Sequence, residues 1–558
     1  MTLFRKKRKK YRDVDPDEIL IDAQNLPNFN KQQFEGRLEK AIKEKPFFVF
    51  GFLVTTVFLI FSVRLFYVQI IKGDEYLAKS ERNSLNTIPI FADRGIIYDK
   101  NKIELAWNER LIPEQPFADR IYIKQPGFAH LLGYIKYPEK DNSGNFWRDS
   151  FIAKDGVEKV YSKLLEGKNG VKIFEEDVYG NIYSENTINP PIHGSDLVLS
   201  VDSRVQEGLY KGIETLAQSS GYRGGGGVII DVHSGDVLAM TSYPEYDPNI
   251  LSKGEDKNTI KSYLEDSRRV FINRVLSGVY TPGSIVKPFV AIGALNERII
   301  DPLTQILSTG KLIIPNIYGG PDSVFKDWRA QGYVDMREAI SVSSNIYFYE
   351  IGGGYKDQKG LGIVNIEKYA KAFGIGQKTG IDLPNELTGV IPNIEWKKKN
   401  FPNDPWRIGD TYHTSIGQYG FQVTPIQMAR ATAALVNGGN LVTPGLVMNT
   451  DRPKEPITII KNTNYYKVIQ EGMRQVVTSG TGTSMKAFSV AAKSGTAQVG
   501  VTKNRVNSWV IGFFPYENPK YAFAILMESG AANQVASASN AMKYTLEWMQ
   551  MNTPEYLK

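Results

Sequence analysis

Between Lys45 and Arg64 the chain carries no charge, running Pro46-Phe47-Phe48-Val49-Phe50-Gly51-Phe52-Leu53-Val54 and on to Val63. A run of this length is about the minimum that crosses a bilayer as a helix. Leu65-Phe66-Tyr67-Val68 extends it with an interfacial tyrosine, while Arg64 reaches toward water along its aliphatic stem. The cluster Arg5-Lys6-Lys7-Arg8-Lys9-Lys10 precedes it, and such charge stays on the cytoplasmic side. No small-x-small cleavage site follows, so the segment is read as an uncleaved anchor rather than a signal peptide. The expectation is a single anchor helix over residues 46–71, a cytoplasmic basic tail over 1–45, and everything after about residue 72 outside. No other stretch is long and apolar enough to span.

Composition narrows the chemistry. The chain has 558 residues, 42% of them hydrophobic, enough for at least one large core. The net charge of +7 is modest, and its clearest concentration is the basic tail, so no nucleic-acid partner is required. The absence of cysteine excludes disulfides, thiolate catalysis and cysteine-ligated metals. His130, His193, His233 and His413 are scattered without metal-ligand spacing, so neither a metal nor a cofactor is expected.

Two exterior parts follow. Residues 1–45 show no apolar periodicity long enough for a core of their own. Residues 72–195 mix short β-like runs with Gly, Pro and Asn breaks. They include Asp93-Arg94-Gly95-Ile96-Ile97-Tyr98-Asp99 and Lys154-Asp155-Gly156-Val157-Glu158, and they offer no nucleophile motif. They read as a proximal spacer or interaction domain ending at the turn-rich stretch 189–195. From residue 196 the pattern changes: a strand over 197–201, an amphipathic helix over 205–216, and a hairpin through Gly227–Asp231 and Val237–Met240. Three strands over 489–498, 508–514 and 521–527 and a helix over 536–550 close the chain. Strands at both ends of a helical middle predict one α+β domain over 196–558, with an antiparallel sheet built from both termini and helices to one side.

Thr281-Pro282-Gly283-Ser284-Ile285-Val286-Lys287-Pro288 carries the strongest chemical signal. A helix from about Gly283 sets Ser284 and Lys287 on one face at its N-terminal end. A serine hydroxyl needs a base, and a lysine acts as one only when burial or another cation lowers its pKa. A second cation is therefore predicted. Ser308 and Ser323 match the same spacing, but Ser308 precedes a strand-like run and Ser323 falls in a Gly/Pro-rich loop. Ser343-Ser344-Asn345 offers a proton relay at Ser343 and a carboxamide at Asn345 that can pair a substrate amide. Lys493-Ser494-Gly495-Thr496, on the first of the C-terminal strands, supplies the second cation, hydroxyls for a carboxylate, and a glycine that lets a substrate backbone lie against the strand. Lys378-Thr379-Gly380 is a decoy in a loop.

The three motifs in this order resemble penicillin-binding proteins and serine β-lactamases, and the resemblance covers nearly the whole exterior. Within that family the chain resembles the elongation-type class B transpeptidases. The matching residues are Arg94-Gly95 with Asp99, Ala239 to Pro244 with Asp247-Pro248-Asn249, Thr379 to Pro384, Trp396-Lys397, Trp406 with Gly409-Asp410-Thr411, and Gly417-Gln418. Tyr419 departs, standing where a glycine is common. The resemblance implies a proximal pedestal and a catalytic domain whose antiparallel sheet is flanked by helices. It also implies D,D-transpeptidation of peptidoglycan stem peptides through an acyl-enzyme on Ser284, with Lys287 as base and Ser343 as relay. Lys493, Ser494, Gly495, Thr496 and Asn345 hold substrate, backbone N–H groups of Ser284 and Thr496 form the oxyanion hole, and β-lactams acylate Ser284. A membrane glycosyltransferase of the rod-shape, elongation and division family is the implied partner, at a bacterial cytoplasmic membrane. A division-type transpeptidase, a β-lactamase, a β-lactam sensor and a non-catalytic wall scaffold are the alternatives.

Overall fold

The computed structural model describes residues 44–77 and 85–558, except 114, 143, 145, 177–181, 318, 449–451, 501–503 and 534. The basic tail over 1–43 lies outside the described residues. Two units divide the chain, residues 1–86 with 176–180, and residues 87–175 with 181–558.

In the first unit, Glu44–Phe66 is α-helical and passes into one π-helical stretch, Tyr67–Ile71. Phe47–Ile71 is long and apolar enough to cross a membrane. The hydroxyls of its adjacent threonines are spent internally: Thr55 Oγ1 donates to Gly51 O and Thr56 Oγ1 to Phe52 O, each at 2.8 Å, so neither needs a water partner. The Arg64 guanidinium sits 5.7 Å from the centre of the Tyr67 ring.

The second unit is built on a five-stranded sheet. Its strands are β1 (Gly224–Asp231), β2 (Val237–Tyr243), β3 (Ala491–Val499), β4 (Arg505–Phe514) and β5 (Tyr521–Ala531). The order is β2-β1-β5-β4-β3 and every pairing is antiparallel. The early hairpin meets the late strands at β1–β5, where Asp231 faces Tyr521 and Gly224 faces Glu528. β3, which carries Lys493 to Thr496, is an edge strand.

Helices cover both faces of the sheet rather than one. Ile229, Val510, Phe523 and Ile525 point toward helices Ser203–Ser220 and Ala538–Asn552, packing with Leu209, Ile213 and Leu546. Their neighbours Val228, Ile511, Ala524 and Leu526 point the other way, into a larger core with Phe289, Ile426 and Met473. Alternation of side chains along a strand makes this division. Burial on both faces turns β4 into a nearly continuous apolar run, Ser508-Trp509-Val510-Ile511-Gly512-Phe513-Phe514, where a half-solvated strand would alternate.

The proximal part has its own four-stranded sheet, in the order 197–198, 97–98, 104–109, 119–122. Leu197 and Val198 run parallel to Ile97 and Tyr98, and the other pairings are antiparallel. Beneath it Glu158 joins two arginines: Arg94 Nη2 donates to Oε2 and Arg120 Nε to Oε1, both at 2.7 Å, with all three side chains buried. The two sequence stretches that offered no chemistry, 93–99 and 154–158, are brought together by this ion triad.

Candidate active site

Ser284 lies on a 3-10 turn, Gly283–Val286, that runs into the helix Lys287–Asn296. The expected α-helix thus begins as a tighter coil, and the difference suits the pair: at three residues per turn, positions i and i+3 eclipse, stacking Lys287 over Ser284. Two glycines let this turn lie flat on β3. Gly283 adopts φ +58, and a Cβ there would stand 2.8 Å from Thr496 O. A Cβ on Gly495 would stand 2.9 Å from both Ile285 Cγ2 and Pro282 O. Gly495 therefore makes room for the serine-bearing turn, where the sequence reading had it making room for substrate. Trp509 Nε1 on β4 donates to Thr281 O at 3.0 Å and fixes the start of the motif. Gly495→Ala is expected to slow acylation of Ser284 by on the order of 10²-fold by tilting the turn. Fluorescent-penicillin labelling of the folded variant measures it, and an unchanged rate would mean the turn absorbs the methyl group.

The predicted second cation is present. Lys287 and Lys493 are both fully buried. Lys287 Nζ donates to Ser343 O and to Asn345 Oδ1, each at 2.8 Å, and stands 3.3 Å from Ser343 Oγ. Lys493 Nζ donates to the same Ser343 Oγ at 2.9 Å and to Ser494 O at 2.8 Å. Among the described residues these bonds tie Lys287 to the Ser343–Asn345 turn and not to Ser284. Lys287 Nζ thus has a carbonyl, a carboxamide and a hydroxyl oxygen of that one turn within hydrogen-bond reach. Burial lowers the Lys287 pKa to about 7, against an opposing pull from the Asp327 carboxylate. Burial pushes Lys493 down as well, with the charge of Lys287 as a second cause. Desolvation is thus the cause that lowers the Lys287 pKa, while the effect of the neighbouring cation falls on Lys493.

The remaining expected residues divide by direction. Ser494 and Thr496 alternate outward from β3 and, with the backbone of Gly495, line a cleft of about 440 Å³ together with Ser284, Ser343 and Asn345. Lys493 alternates inward and reaches the site from behind Ser343, away from the cleft lining. Asn345 lines the cleft, but its Oδ1 accepts from Lys287 and its Nδ2 stands 3.4 Å from Lys326 O, so it also fixes the position of the Lys287 amine. Ser343 is held at φ +59, a left-handed conformation unusual for serine. Ser344 caps the helix Asn345–Gly353.

Sequence reasoning misses several lining residues: Thr481, Trp328, Val535 and Ser537. Thr481 Oγ1 and Ser494 Oγ share a hydrogen bond of 2.7 Å, adding a third hydroxyl beside Thr496. No local pattern marks Thr481, which lies just beyond the helix Asn464–Thr478. Ile416 and Gln418, also in the lining, belong to the stretch Ile416-Gly417-Gln418, which carries resemblance only. Of the decoys, Ser308 is buried and donates to Asp327, while Thr379 and Gly380 are tied to Glu386. Ser323 opens a short strand, Ser323–Lys326, rather than sitting in a loop. Tyr419 has φ +59, the reason glycine suits that position. Its ring is held edge-on between Trp396 and Trp406.

A serine on a helical turn, a buried neutralisable lysine beside it, and a hydroxyl shared with a second lysine on an edge strand define a serine acyl-transfer enzyme. The chain belongs to the penicillin-binding protein family: residues 225–547 match the penicillin binding protein transpeptidase domain, and residues 114–199 match the penicillin-binding protein dimerisation domain. It is 31% identical to the peptidoglycan D,D-transpeptidase MrdA of Haemophilus influenzae, over 77% of this chain and 70% of that protein. The crystal structure of Pseudomonas aeruginosa PBP2 in complex with WCK 5153 is similar with a TM-score of 0.69 and 31% identity, covering 85% of this chain and 98% of that one. A complex between PBP2 and MreC from Helicobacter pylori is similar with the same TM-score of 0.69 and 26% identity, covering 84% of this chain and 99% of that one.

Proposed function

We propose that Ser284 is the nucleophile of this peptidoglycan D,D-transpeptidase of cell elongation, a serine enzyme acting on D-Ala-D-Ala. Neutral Lys287 takes the hydroxyl proton as Ser284 Oγ attacks the carbonyl carbon of the penultimate D-alanine. The tetrahedral oxyanion is held by the backbone N–H groups of Ser284 and Thr496, each worth ~3 kcal/mol. Ser343 passes a proton to the leaving nitrogen and is resupplied by the lysines; terminal D-alanine departs. An amine from a neighbouring stem attacks the ester, loses its proton along the same path, and releases Ser284 with a new peptide bond. Ser494, Thr496 and Thr481 hydroxyls receive the terminal carboxylate, with Lys493 charge behind them. Asn345 orients both Lys287 and the substrate amide.

The observation that carries this reading is Ser343 Oγ, at 3.3 Å from Lys287 Nζ and 2.9 Å from Lys493 Nζ, which joins the base to the relay. Intact-mass analysis after incubation with a penicillin, with peptide mapping, tests it. The expected result is one stable adduct on the peptide containing Ser284, absent from Ser284→Ala. An adduct that persists in Ser284→Ala, or a penicillin turned over rapidly without accumulating, would overturn it.

A proximal region over 72–195 and a catalytic domain over 196–558 are part of the proposal; the separate family matches support the division in two, while the pairing of 197–198 with 97–98 favours a boundary just past residue 198. The apolar helix is proposed to anchor the chain at the bacterial cytoplasmic membrane, with the basic tail inside and the catalytic domain outside. The charge asymmetry of Arg5 to Lys10 supports that orientation. Partners are of the elongation-complex kind, as the relative solved with MreC supports. A membrane glycosyltransferase that polymerises the glycan is the finer proposal, since the proximal region offers no catalytic constellation of its own.

A further inference from the structure

Asp327 is not part of the three motifs, yet its carboxylate accepts five hydrogen bonds beside the cleft. Oδ2 accepts from Ser344 Oγ at 2.8 Å, from Asn345 N at 2.9 Å, from Ser308 Oγ at 3.1 Å and from Ile346 N at 3.2 Å. Oδ1 accepts from Trp328 N at 2.9 Å. The two backbone bonds satisfy orphan donors at the start of the helix Asn345–Gly353, where negative charge is favoured. The adjoining residues repeat the attachment: Trp328 Nε1 donates to Val342 O at 3.0 Å, and Lys326 O faces Asn345 Nδ2. The segment 326–328 is thus stapled along the turn that carries Ser343, Ser344 and Asn345, including the left-handed backbone at Ser343.

We propose that Asp327 is a positioning residue of the transpeptidation site, holding the Ser343–Asn345 turn in register with Lys287 and supplying the carboxylate charge that faces that lysine. The inference rests on the reading of Ser284 as nucleophile and Lys287 as base. The charged groups facing Lys287 are Asp327, from the end of the strand Ser323–Lys326, and Lys493, from β3. Helix Asn345–Gly353 contributes the Asn345 amide and the Phe348 ring, whose centre lies 5.3 Å from Lys287 Nζ. When Lys287 takes the Ser284 proton, an ammonium forms in a fully buried place beside a second lysine. Asp327 is the group placed to offset it, so its charge matters most in the transition state.

This role has a signature that a purely structural one lacks. Without the negative charge Lys287 releases its proton more readily, so the acid limb of acylation moves to lower pH. The ammonium formed during attack is less well compensated, so the plateau falls. Asp327→Asn keeps an acceptor at the Oδ2 position and loses the charge. Asp327→Glu keeps the charge and displaces it from the turn. Acylation rates of the full-length protein with a fluorescent penicillin, followed across the acid and neutral range, decide the matter. Asp327→Asn is expected to shift the limb down by about one pH unit and to lower the plateau on the order of tenfold. Asp327→Glu is expected to keep the wild-type limb and lose rate at every pH. A limb that stays in place or moves up in Asp327→Asn overturns the proposal, as does Asp327→Glu with a wild-type plateau. If wild type itself gives no adduct on Ser284, the nucleophile assignment fails and this inference falls with it; an acylating wild type with an unmoved limb in Asp327→Asn sinks this inference alone.

Discussion

Lys287→Ala is expected to slow acylation of Ser284 by roughly 10²–10⁴-fold, the range over which a positioned general base contributes. The domain should remain folded. Truncation removes a group whose burial is itself costly, and the oxygens it leaves, Ser343 O and Asn345 Oδ1, belong to a turn still held by Asp327. The loss should therefore appear in the acylation rate and not in the unfolding midpoint. In wild type, the pKa of about 7 sets the direction of the pH dependence. Below it Lys287 is an ammonium without a lone pair, and the rate falls tenfold per pH unit; above it the rate levels off. Because Lys287 and Lys493 titrate against each other, the limb reports the pair. Labelling rates for wild type and Lys287→Ala across pH check this: the limb should vanish with the lysine. A variant that acylates at the wild-type rate would remove Lys287 from the mechanism.

The second large effect lies in the proximal region. Glu158→Ala should cost about 3–5 kcal/mol, because it leaves the guanidiniums of Arg94 and Arg120 buried without a counter-charge. Arg94 Nη1 and Arg120 Nη2 have no hydrogen-bond partner among the described residues, so Glu158 is the main counterweight to both guanidiniums. Burial pushes the Glu158 carboxyl up, but Arg120 and Arg94 outweigh it and hold its pKa below the ordinary value. The sign follows: this contribution is intact above the ordinary carboxylate range and is lost only as the pH falls through the lower, folded-state value. Urea unfolding followed by tryptophan fluorescence measures the cost, with limited proteolysis locating the loosened segment. A loss under about 1 kcal/mol would mean that the surrounding core, not the ion triad, fixes this region.

What the sequence disclosed follows the range of the interactions. Ser284 and Lys287 are read from spacing within one turn, and the strands from apolar runs, because both signals are local. Ser343 and Lys493 are read from the order of their motifs along the chain, and a hydrogen bond behind the cleft joins them. Asp327, Thr481 and Val535 come from separate connections with no period, so nothing local distinguishes them from ordinary turn residues. Glu158 lies 64 residues from Arg94 and 38 from Arg120, and a carboxylate paired at that separation looks like any surface acid until the chain is folded. Gly495 shows the subtler limit. Its need for space is legible, but not whether substrate or Ile285 fills it.

The pairing of β1 with β5 also sets a timetable for synthesis. Asp231 cannot meet Tyr521, nor Gly224 meet Glu528, until almost the whole chain has been made. At ordinary elongation rates of roughly 5–20 residues per second, the apolar edge of β1 stays uncovered for on the order of tens of seconds. For most of that interval the serine-bearing turn has no β3 to rest on, so Ser284 is made early and seated late. Such high contact order leaves late truncations without the strand that joins the two halves of the central sheet.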